Sequence, residues 1–255
     1  MAFLELLGRG VLRVLDGFGR FFVLLWETLR GLLRPPWDFR AWRTQIVRVG
    51  VDSVPVVFLT AFFTGGVMAL QTYNGFARFH AEAYVGSVVA LSMLRELSPV
   101  LTGLMVAGRA GSAMAAELGS MRVTEQVDAL VTLATDPVQY LFVPRVVAGI
   151  VVVPMLVVLA NATGMGGGYV VAVNVLGANP VVYVENTFQF LELNDLWSGL
   201  VKAAVFGGLL TLVGCQQGYD TTGGAEGVGR STTTAVVIGS LAILISDFFL
   251  TKVLF

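Results

Sequence analysis

Two long stretches of the chain carry no charged residue, and they constrain the fold more than any other feature. One runs from Ser53 to Ala77 and the other from Val146 to Val184. A helix needs about 20 apolar residues to cross the hydrocarbon core of a bilayer, so each stretch is long enough. Only 13% of the 255 residues are charged, which is too few to cover the surface of a soluble domain of this size. The sequence predicts an all-α integral membrane protein.

The distribution of apolar residues predicts five membrane-spanning helices within a transmembrane domain at 51–255. Their approximate bounds are 52–73, 84–116, 138–176, 196–216 and 232–254. The second and third exceed the length that a bilayer requires, so we expect them to extend into water or to be broken internally.

Residues 1–50 form a separate amphipathic region. Between Phe3 and Leu33, charged residues recur every three or four positions: Glu5, Arg9, Arg13, Asp16 and Arg20. This pattern is typical of a helix that lies in the membrane interface. The alternative is a short spanning helix, which would place the charged stripe inside the bilayer. Pro35 and Pro36 are expected to end the helix, and its charged start argues against a cleaved signal peptide.

The basic residues predict the orientation. Eight of the sixteen Lys and Arg residues precede residue 50, whereas the segment from Gly177 to Trp197 has three acidic residues and no basic one. Because basic residues concentrate on the cytoplasmic side, we expect a cytoplasmic N-terminus. Five spans then place the C-terminus on the opposite side.

Small residues recur every four positions in the second and third spans. The two stripes are Gly103, Ala107, Gly111, Ala115, Gly119 and Ala160, Gly164, Gly168, Ala172. Such spacing lets helix backbones approach closely in lipid. The stripes fit packing within the chain or a contact with a second copy.

The sequence shows no convincing apparatus for catalysis. Residues 224–231 resemble a phosphate-binding loop, but Arg230 replaces its lysine, no strand is predicted before it, and a span follows. We therefore expect a flexible glycine-rich turn. The single His80 and the single Cys215 cannot build a multi-histidine metal site or an internal disulfide. We expect no catalytic residue, cofactor, metal ion or nucleic-acid partner.

Arg95 and Glu96 are the most informative pair because they lie within the predicted second span. Ionisable residues inside a membrane are costly and usually face a cavity, a partner or a substrate. Adjacent helical residues point about 100° apart, so these two are not expected to pair only with each other. Pro99 could free backbone carbonyls as ligands. The pair either lines a substrate cavity or is a buried structural pair.

Residues 117–131 predict a short helix between the second and third spans. Thr124 is a candidate N-cap, with Glu125 and Asp128 near the positive end of the helix. Asp136 and Pro137 are expected to restart the chain as an N-cap followed by a first-turn proline. Such a helix could receive mechanical work from a separate motor protein, or it could be a plain surface helix.

Two adjacent segments have a specific sequence pattern: Gly108 to Gly119, GRAGSAMAAELG, and Met121 to Leu130, MRVTEQVDAL. Together with residues 89–101 and 223–233, they resemble the MlaE/YrbE permeases, the membrane subunits of ABC transporters associated with MCE proteins. The likeness covers roughly residues 40–255. Ser98 stands where the family pattern suggests glycine before Pro99, which bears on local helix geometry.

This resemblance implies a homodimeric permease with an N-terminal elbow helix and five spans, in a bacterial inner membrane with a periplasmic C-terminus. It implies a cytosolic ABC ATPase, which binds the ATP, a STAS-domain subunit and a periplasmic MCE-domain ring. The implied substrate is phospholipid moving between the inner and outer membranes, so that lipid asymmetry is maintained. Arg95, Glu96 and Tyr73 would then bind substrate, whereas Glu117, Glu125 and Asp128 would couple to the ATPase.

Two alternative functions are open on the sequence. An ion-coupled secondary transporter of a hydrophobic substrate would favour inverted repeats and more acidic residues at mid-membrane. An intramembrane lipid enzyme would need catalytic side chains that the sequence does not suggest.

Overall fold

The computed structural model describes residues 2–35 and 37–254, except for the side chains of residues 2–11, 13, 14 and 18. All regular structure in this part of the chain is helical. Of the predicted charged stripe, Asp16 and Arg20 are exposed and form an ion pair one turn apart. The side chains of Glu5, Arg9 and Arg13, and all of Pro36, lie outside the described residues.

Eleven α-helices are found in the described residues. They are α1 (Ala2–Leu33), α2 (Phe39–Gly50), α3 (Val54–Phe76), α4 (Val85–Ser92), α5 (Ser98–Val106), α6 (Ser112–Val123), α7 (Gln126–Thr132), α8 (Val143–Asn174), α9 (Pro180–Gln189), α10 (Leu193–Tyr219) and α11 (Gly224–Leu254). Short 3-10 turns at Val51–Ser53, Ala77–Phe79 and Glu82–Tyr84, and π-helical segments at Met93–Leu97, Ala107–Gly111 and Val138–Phe142, extend or join them.

Five helical segments are long and apolar enough to cross a membrane, which confirms the predicted number. They are Phe39–Phe79, Glu82–Val123, Val138–Asn174, Leu193–Tyr219 and Gly224–Leu254, numbered below as spans one to five. The first begins earlier than predicted, because the Val51–Ser53 turn joins α2 to α3 and the boundary at residue 50 falls inside a continuous helical segment. Span two stays continuous, although π-helical turns interrupt its regular α-helix twice.

The glycine-rich segment at 224–231 is helical, so the prediction of a flexible turn there is wrong. The chain turns at the start of this segment, where Gly223 and Gly224 adopt φ angles of 90° and 68°. Glycine reaches these angles without the steric penalty of a side chain. Thr221 Oγ1 lies 2.8 Å from Ser231 Oγ, a hydrogen bond that ties the turn to the second turn of α11.

Helix α8 lies at the centre of the fold and makes its largest contacts with α3 and α10. Glycines face each other at these crossings, as Gly65 does with Gly164 and Gly149 with Gly207. The small residues predicted to form a stripe on α8 are buried within the chain. Gly103, on the other stripe, faces Phe206 and Ile243. Both stripes therefore serve packing within the chain.

Helix α1 is fastened to the ends of the spans. Near its C-terminus, Gly31 is seated so closely against Val143 that an added Cβ would lie 2.9 Å from Val143 Cγ2. About three turns earlier in α1, Arg20 Nη1 lies 3.4 Å from Asp220 Oδ1 in the turn before α11. Burial raises the pKa of the Asp220 carboxyl, although the Arg20 guanidinium opposes this effect. The elbow helix predicted from sequence thus contacts the turn between spans four and five.

Candidate functional site: a charged cluster among spans two, four and five

Arg95 and Glu96 lie in the π-helical segment Met93–Leu97, immediately before Pro99. In a regular α-helix, an amide at position 99 would donate to the carbonyl of residue 95, but proline has no N–H. The Arg95 carbonyl accepts a hydrogen bond from Lys202 Nζ at 3.1 Å. As expected, the carbonyl one turn before Pro99 binds a group outside the helix, and that group is a lysine ammonium.

Lys202 on α10 is fully buried. Its ammonium group donates to the Arg95 carbonyl, to Glu96 Oε2 at 2.7 Å and to Thr251 Oγ1 at 2.7 Å. These three acceptors use all three N–H groups of an ammonium. Burial of this charge is tolerated because every donor has a partner and opposite charge lies close by.

Asp247 on α11 adds a second carboxylate to the cluster. Its Oδ1 lies 3.1 Å from Lys202 Nζ, yet this oxygen accepts no hydrogen bond. Lys202 Nζ has three other acceptors within hydrogen-bond distance, so we describe its contact with Asp247 as an ion pair. Glu96, Lys202 and Asp247 thus bring two carboxylates and one ammonium together from three spans.

Arg95 belongs to the same charged cluster but forms an ion pair of its own. Its Nη2 lies 2.6 Å from Asp195 Oδ1, and its Nε donates to the same oxygen at 2.7 Å. Asp195 is 1% exposed. Its other oxygen, Oδ2, accepts the Glu192 amide at 3.0 Å and completes a capping box at the start of α10. The helix cap therefore fixes the carboxylate that holds Arg95.

Of the three predicted substrate residues, the structure brings Arg95 and Glu96 into one cluster. They pair with different partners, as their angular separation on the helix predicts. Tyr73 lies near the C-terminus of α3, partly buried against the core, and no described hydrogen bond or ion pair joins it to the cluster. Its role in binding substrate remains a prediction.

Sequence reasoning missed Asp195, Lys202 and Asp247 as partners in this site. Lys202 and Asp247 fall inside the predicted fourth and fifth spans, at 196–216 and 232–254. The cost of an ionisable residue within a membrane was the signal that could have identified both. Asp195 gave a weaker signal, since it stands among acidic residues of a segment predicted to lie outside the membrane.

The outer part of the cluster is open to the surroundings of the chain. The side chains of Arg95 and Glu96 are 40% and 38% exposed, whereas Lys202 has no exposed side-chain surface. Hydrocarbon does not solvate a charge, so a polar surface, water or a ligand must cover these two side chains in the membrane. A neighbouring crevice between Thr60, Met93 and Thr102 has a volume of only about 10 Å³, which is too small for an acyl chain.

A second group of charges joins α2, α6 and α8 at the other end of span two. Glu117 accepts from Arg48 Nη1 at 3.1 Å and pairs with Arg145 Nη2 at 3.0 Å. Arg145 is 4% exposed, and Glu117 is the acidic partner described for it. Glu117 therefore holds three helices together. Its predicted contact with an ATPase would use a side chain already engaged in two ion pairs.

The short helix predicted between spans two and three is observed as α7, but Thr124 does not cap it. The Thr124 hydroxyl instead donates to the Ser120 carbonyl at 2.8 Å and closes α6. Glu125 then takes a left-handed conformation, with a φ angle of 61°, and forms the corner. Asp128 lies in the first turn of α7 as predicted and pairs with Arg122 at 2.6 Å.

The predicted restart before span three is confirmed. Asp136 Oδ1 accepts the Val138 amide at 2.9 Å, and Pro137 follows the capping residue. Span three therefore begins with its first amide satisfied by the cap.

Comparison with known proteins places the chain in a family. A family model described as permease MlaE matches residues 42–253. A probable ABC transporter permease of Rickettsia bellii is 48% identical, over 98% of this chain and 96% of the relative. The intermembrane phospholipid transport system permease protein MlaE of Haemophilus influenzae is 36% identical, over 99% of this chain and 97% of the relative. The chain belongs to the MlaE permease family.

Proposed function

We propose that this chain is the membrane-spanning subunit of an ATP-driven transporter that moves phospholipid between the inner and outer membranes of a bacterial envelope. The observation that carries the proposal is the charged cluster of Arg95, Glu96, Lys202 and Asp247 inside the spans. The printed name of the Haemophilus influenzae relative, a phospholipid transport permease, supports the substrate class.

The cluster fits the chemistry of a phospholipid. A head group carries charge into a region where the acyl chains need apolar contact, so its path requires polar groups embedded in apolar helices. Arg95 offers a cation and Glu96 an anion at the exposed edge of the cluster, while Lys202 and Asp195 hold them in place from beneath. Both signs of charge in a zwitterionic head group can be matched there.

We include a homodimer in the proposal, because the exposed charges of the cluster need a polar covering. Exposed charges cannot face lipid tails, and the crevice beside them is too small for lipid. In a homodimer, two clusters would face a shared cavity and each would cover the other. Helix α11 offers apolar surface for such a contact, since Leu241, Leu244 and Phe248 are exposed beside the cluster-forming Asp247 and Thr251.

The energy for transport would come from a separate cytosolic ATPase, as in other ABC permeases. We place α7 on the cytoplasmic side as the coupling helix, with Glu125 and Asp128 at the docking surface. Val127 is buried in the core of the chain, so a displacement of α7 by the ATPase would be transmitted to the spans. A STAS-domain subunit, a periplasmic MCE-domain ring, a cytoplasmic N-terminus and a periplasmic C-terminus complete the arrangement.

The substitution Glu96→Gln tests the proposed function. We expect ATP-dependent transfer of a fluorescent phospholipid, from proteoliposomes containing the full complex to acceptor vesicles, to fall by about tenfold, the loss of one charge-assisted contact. ATP hydrolysis should persist, because the cluster lies away from α7. Glu185→Gln, which removes an exposed carboxylate on α9, is the control. Wild-type transfer by Glu96→Gln, or ion-driven transport by the chain alone, would contradict the proposal.

The substitution Asp128→Arg tests the coupling helix. Charge reversal on α7 is expected to reduce co-purification of the ATPase by about fivefold, since rim charges steer docking without dominating affinity. Arg122→Ala serves as a matched control, because it also breaks the Arg122–Asp128 pair but leaves the charge of Asp128 in place. Equal co-purification of the ATPase with wild type and Asp128→Arg would rule out this docking surface.

A further inference from the structure

A cavity of about 320 Å³ lies where the joint between α1 and α2 meets the turn before span three. Its lining includes three aromatic residues, Trp37, Trp42 and Tyr140, and two carboxylates, Asp38 and Asp136. The volume is at the lower end of the range for ligand pockets, about 300 Å³ upward. It suits a head group rather than a whole lipid.

The cavity is distinct from the charged cluster and lies towards the opposite membrane face. It adjoins the beginnings of spans one and three, at Phe39 and Val138. The cluster uses residues near the beginning of span four and the end of span five, at Asp195 and Thr251. Because consecutive spans run in opposite directions, these two sets of ends belong to different sides of the membrane.

The walls of the cavity are fixed by contacts within the chain. Trp37 Nε1 donates to the Leu32 carbonyl at 3.2 Å. Gln139 Nε2 donates to the Arg34 carbonyl at 3.0 Å and so joins span three to the end of α1. Phe39 packs edge-on between Trp37 and Trp42, with ring centroids 6.3 and 5.4 Å apart. The Trp37 and Trp42 rings are therefore held in place by contacts within the chain.

The two carboxylates supply negative charge that no described basic residue neutralises. Asp38 Oδ1 accepts the amides of Arg40 and Ala41, and Asp136 Oδ1 accepts the amide of Val138. Neither residue forms an ion pair within the described part of the chain. The second oxygen of each carboxylate is left for a further partner. Within the described residues no Lys or Arg lines the cavity, so its lining suits the ammonium end of a head group and not its phosphate.

We propose that this cavity binds the ammonium group of an amine-bearing phospholipid head group at the membrane interface. Aromatic side chains and carboxylates in one cavity together favour an organic ammonium ion, which binds by cation–π and charge interactions. A hard metal ion prefers a shell of oxygen ligands, which three rings would interrupt. Interfacial rings and helix caps each occur alone elsewhere. Here the rings and two carboxylates without an ion-pair partner in the described residues line the same cavity, and this combination indicates a ligand.

Lipid binding to delipidated protein, measured by native mass spectrometry, tests this site. Phosphatidylcholine, phosphatidylethanolamine and phosphatidylglycerol with identical acyl chains are added separately. We expect the first two to bind about fivefold more tightly than phosphatidylglycerol, as a solvent-exposed cation–π site with charge support implies. Soluble choline is a second probe, and competition by it would show that the site recognises a free ammonium as well as a lipid head group.

The variant Asp38→Asn/Asp136→Asn removes both charges but keeps the caps, since asparagine caps helices as well as aspartate. It should lose the preference for the amine-bearing lipids, and Trp42→Leu should weaken it. Glu185→Gln/Glu226→Gln, which removes two exposed carboxylates outside the cavity, should keep it. Circular dichroism checks the fold, and Asp136→Asn alone replaces the double variant if that one misfolds. Equal binding of all three lipids by wild type, or an unchanged preference in the charge-removing variant, would overturn the proposal.

Discussion

Replacing Lys202 with methionine is expected to destabilise the protein by about 3–5 kcal/mol, the cost of removing one partner of a buried ion pair. The substitution keeps most of the side-chain volume but leaves Glu96 and Asp247 facing each other without their shared cation. It also removes the hydrogen bond from Lys202 to the Arg95 carbonyl. The melting temperature in mild detergent would report the loss. Lys252→Met, at an exposed lysine near the end of α11, should melt like wild type.

A triple variant separates the structural part of this effect from the functional part. Glu96→Gln, Lys202→Met and Asp247→Asn together remove the three charges that meet at Lys202, and replacing a buried ion network by neutral groups is often close to neutral for stability. We therefore expect the melting temperature to recover while phospholipid transfer stays low. If Lys202→Met alone melts at the wild-type temperature, the cluster does not hold spans two, four and five together. If the triple variant transports lipid normally, the three charges that it lacks do not take part in substrate binding.

Alanine at position 167 is expected to cost about 3 kcal/mol, at the upper end of the range for overpacking. A Cβ at Gly167 would fall well inside van der Waals contact with the Phe62 carbonyl oxygen and 2.9 Å from its carbonyl carbon. Both atoms belong to a helix backbone, so no side chain can turn away to make room. Helices α3 and α8, which make the largest interhelical contact in the described structure, would have to separate.

The neighbouring Gly166 provides a matched control on the same helix. Nothing lies within 4 Å of a Cβ placed there, so Gly166→Ala should gain up to roughly 1 kcal/mol from the better helix propensity of alanine. Melting temperatures of the two variants in detergent should move in opposite directions. Equal shifts would mean that the close approach of α3 and α8 does not limit stability.

The sequence by itself determined the fold class and the number of spans. Uncharged stretches such as Ser53–Ala77 and Val146–Val184 can be buried in lipid only as helices, because each backbone polar group must find its partner within the segment. That constraint is local, so it can be read without knowing which helices touch. The segments 108–119 and 121–130 likewise carried enough residue identity to indicate the family. Asp136 indicated the start of span three for the same reason, because helix capping depends on residues that are neighbours in the sequence.

Helix ends and turns were only partly determined. The sequence could not show that α2 runs on into α3, since Arg40 and Arg48 suggested a surface region separate from the span. The residues at 224–231 resembled a loop because of their glycines, but they form the start of α11, where Ser231 is hydrogen-bonded to Thr221. Thr124 has the chemistry of an N-cap and instead closes the preceding helix. In each case a neighbour distant in sequence, or the local backbone geometry, outweighed residue preference.

The partners within the charged cluster were decided by the tertiary structure alone. Glu96 and Lys202 are 106 positions apart, and Lys202 and Thr251 are 49 apart. Charges at such separations meet only after α10 and α11 have packed against span two, and glycines such as Gly199 permit that approach by seating against the Leu94 carbonyl. Periodicity along one helix shows which face a residue occupies. It does not show which other helix that face will meet, because packing is set by the shapes of both surfaces.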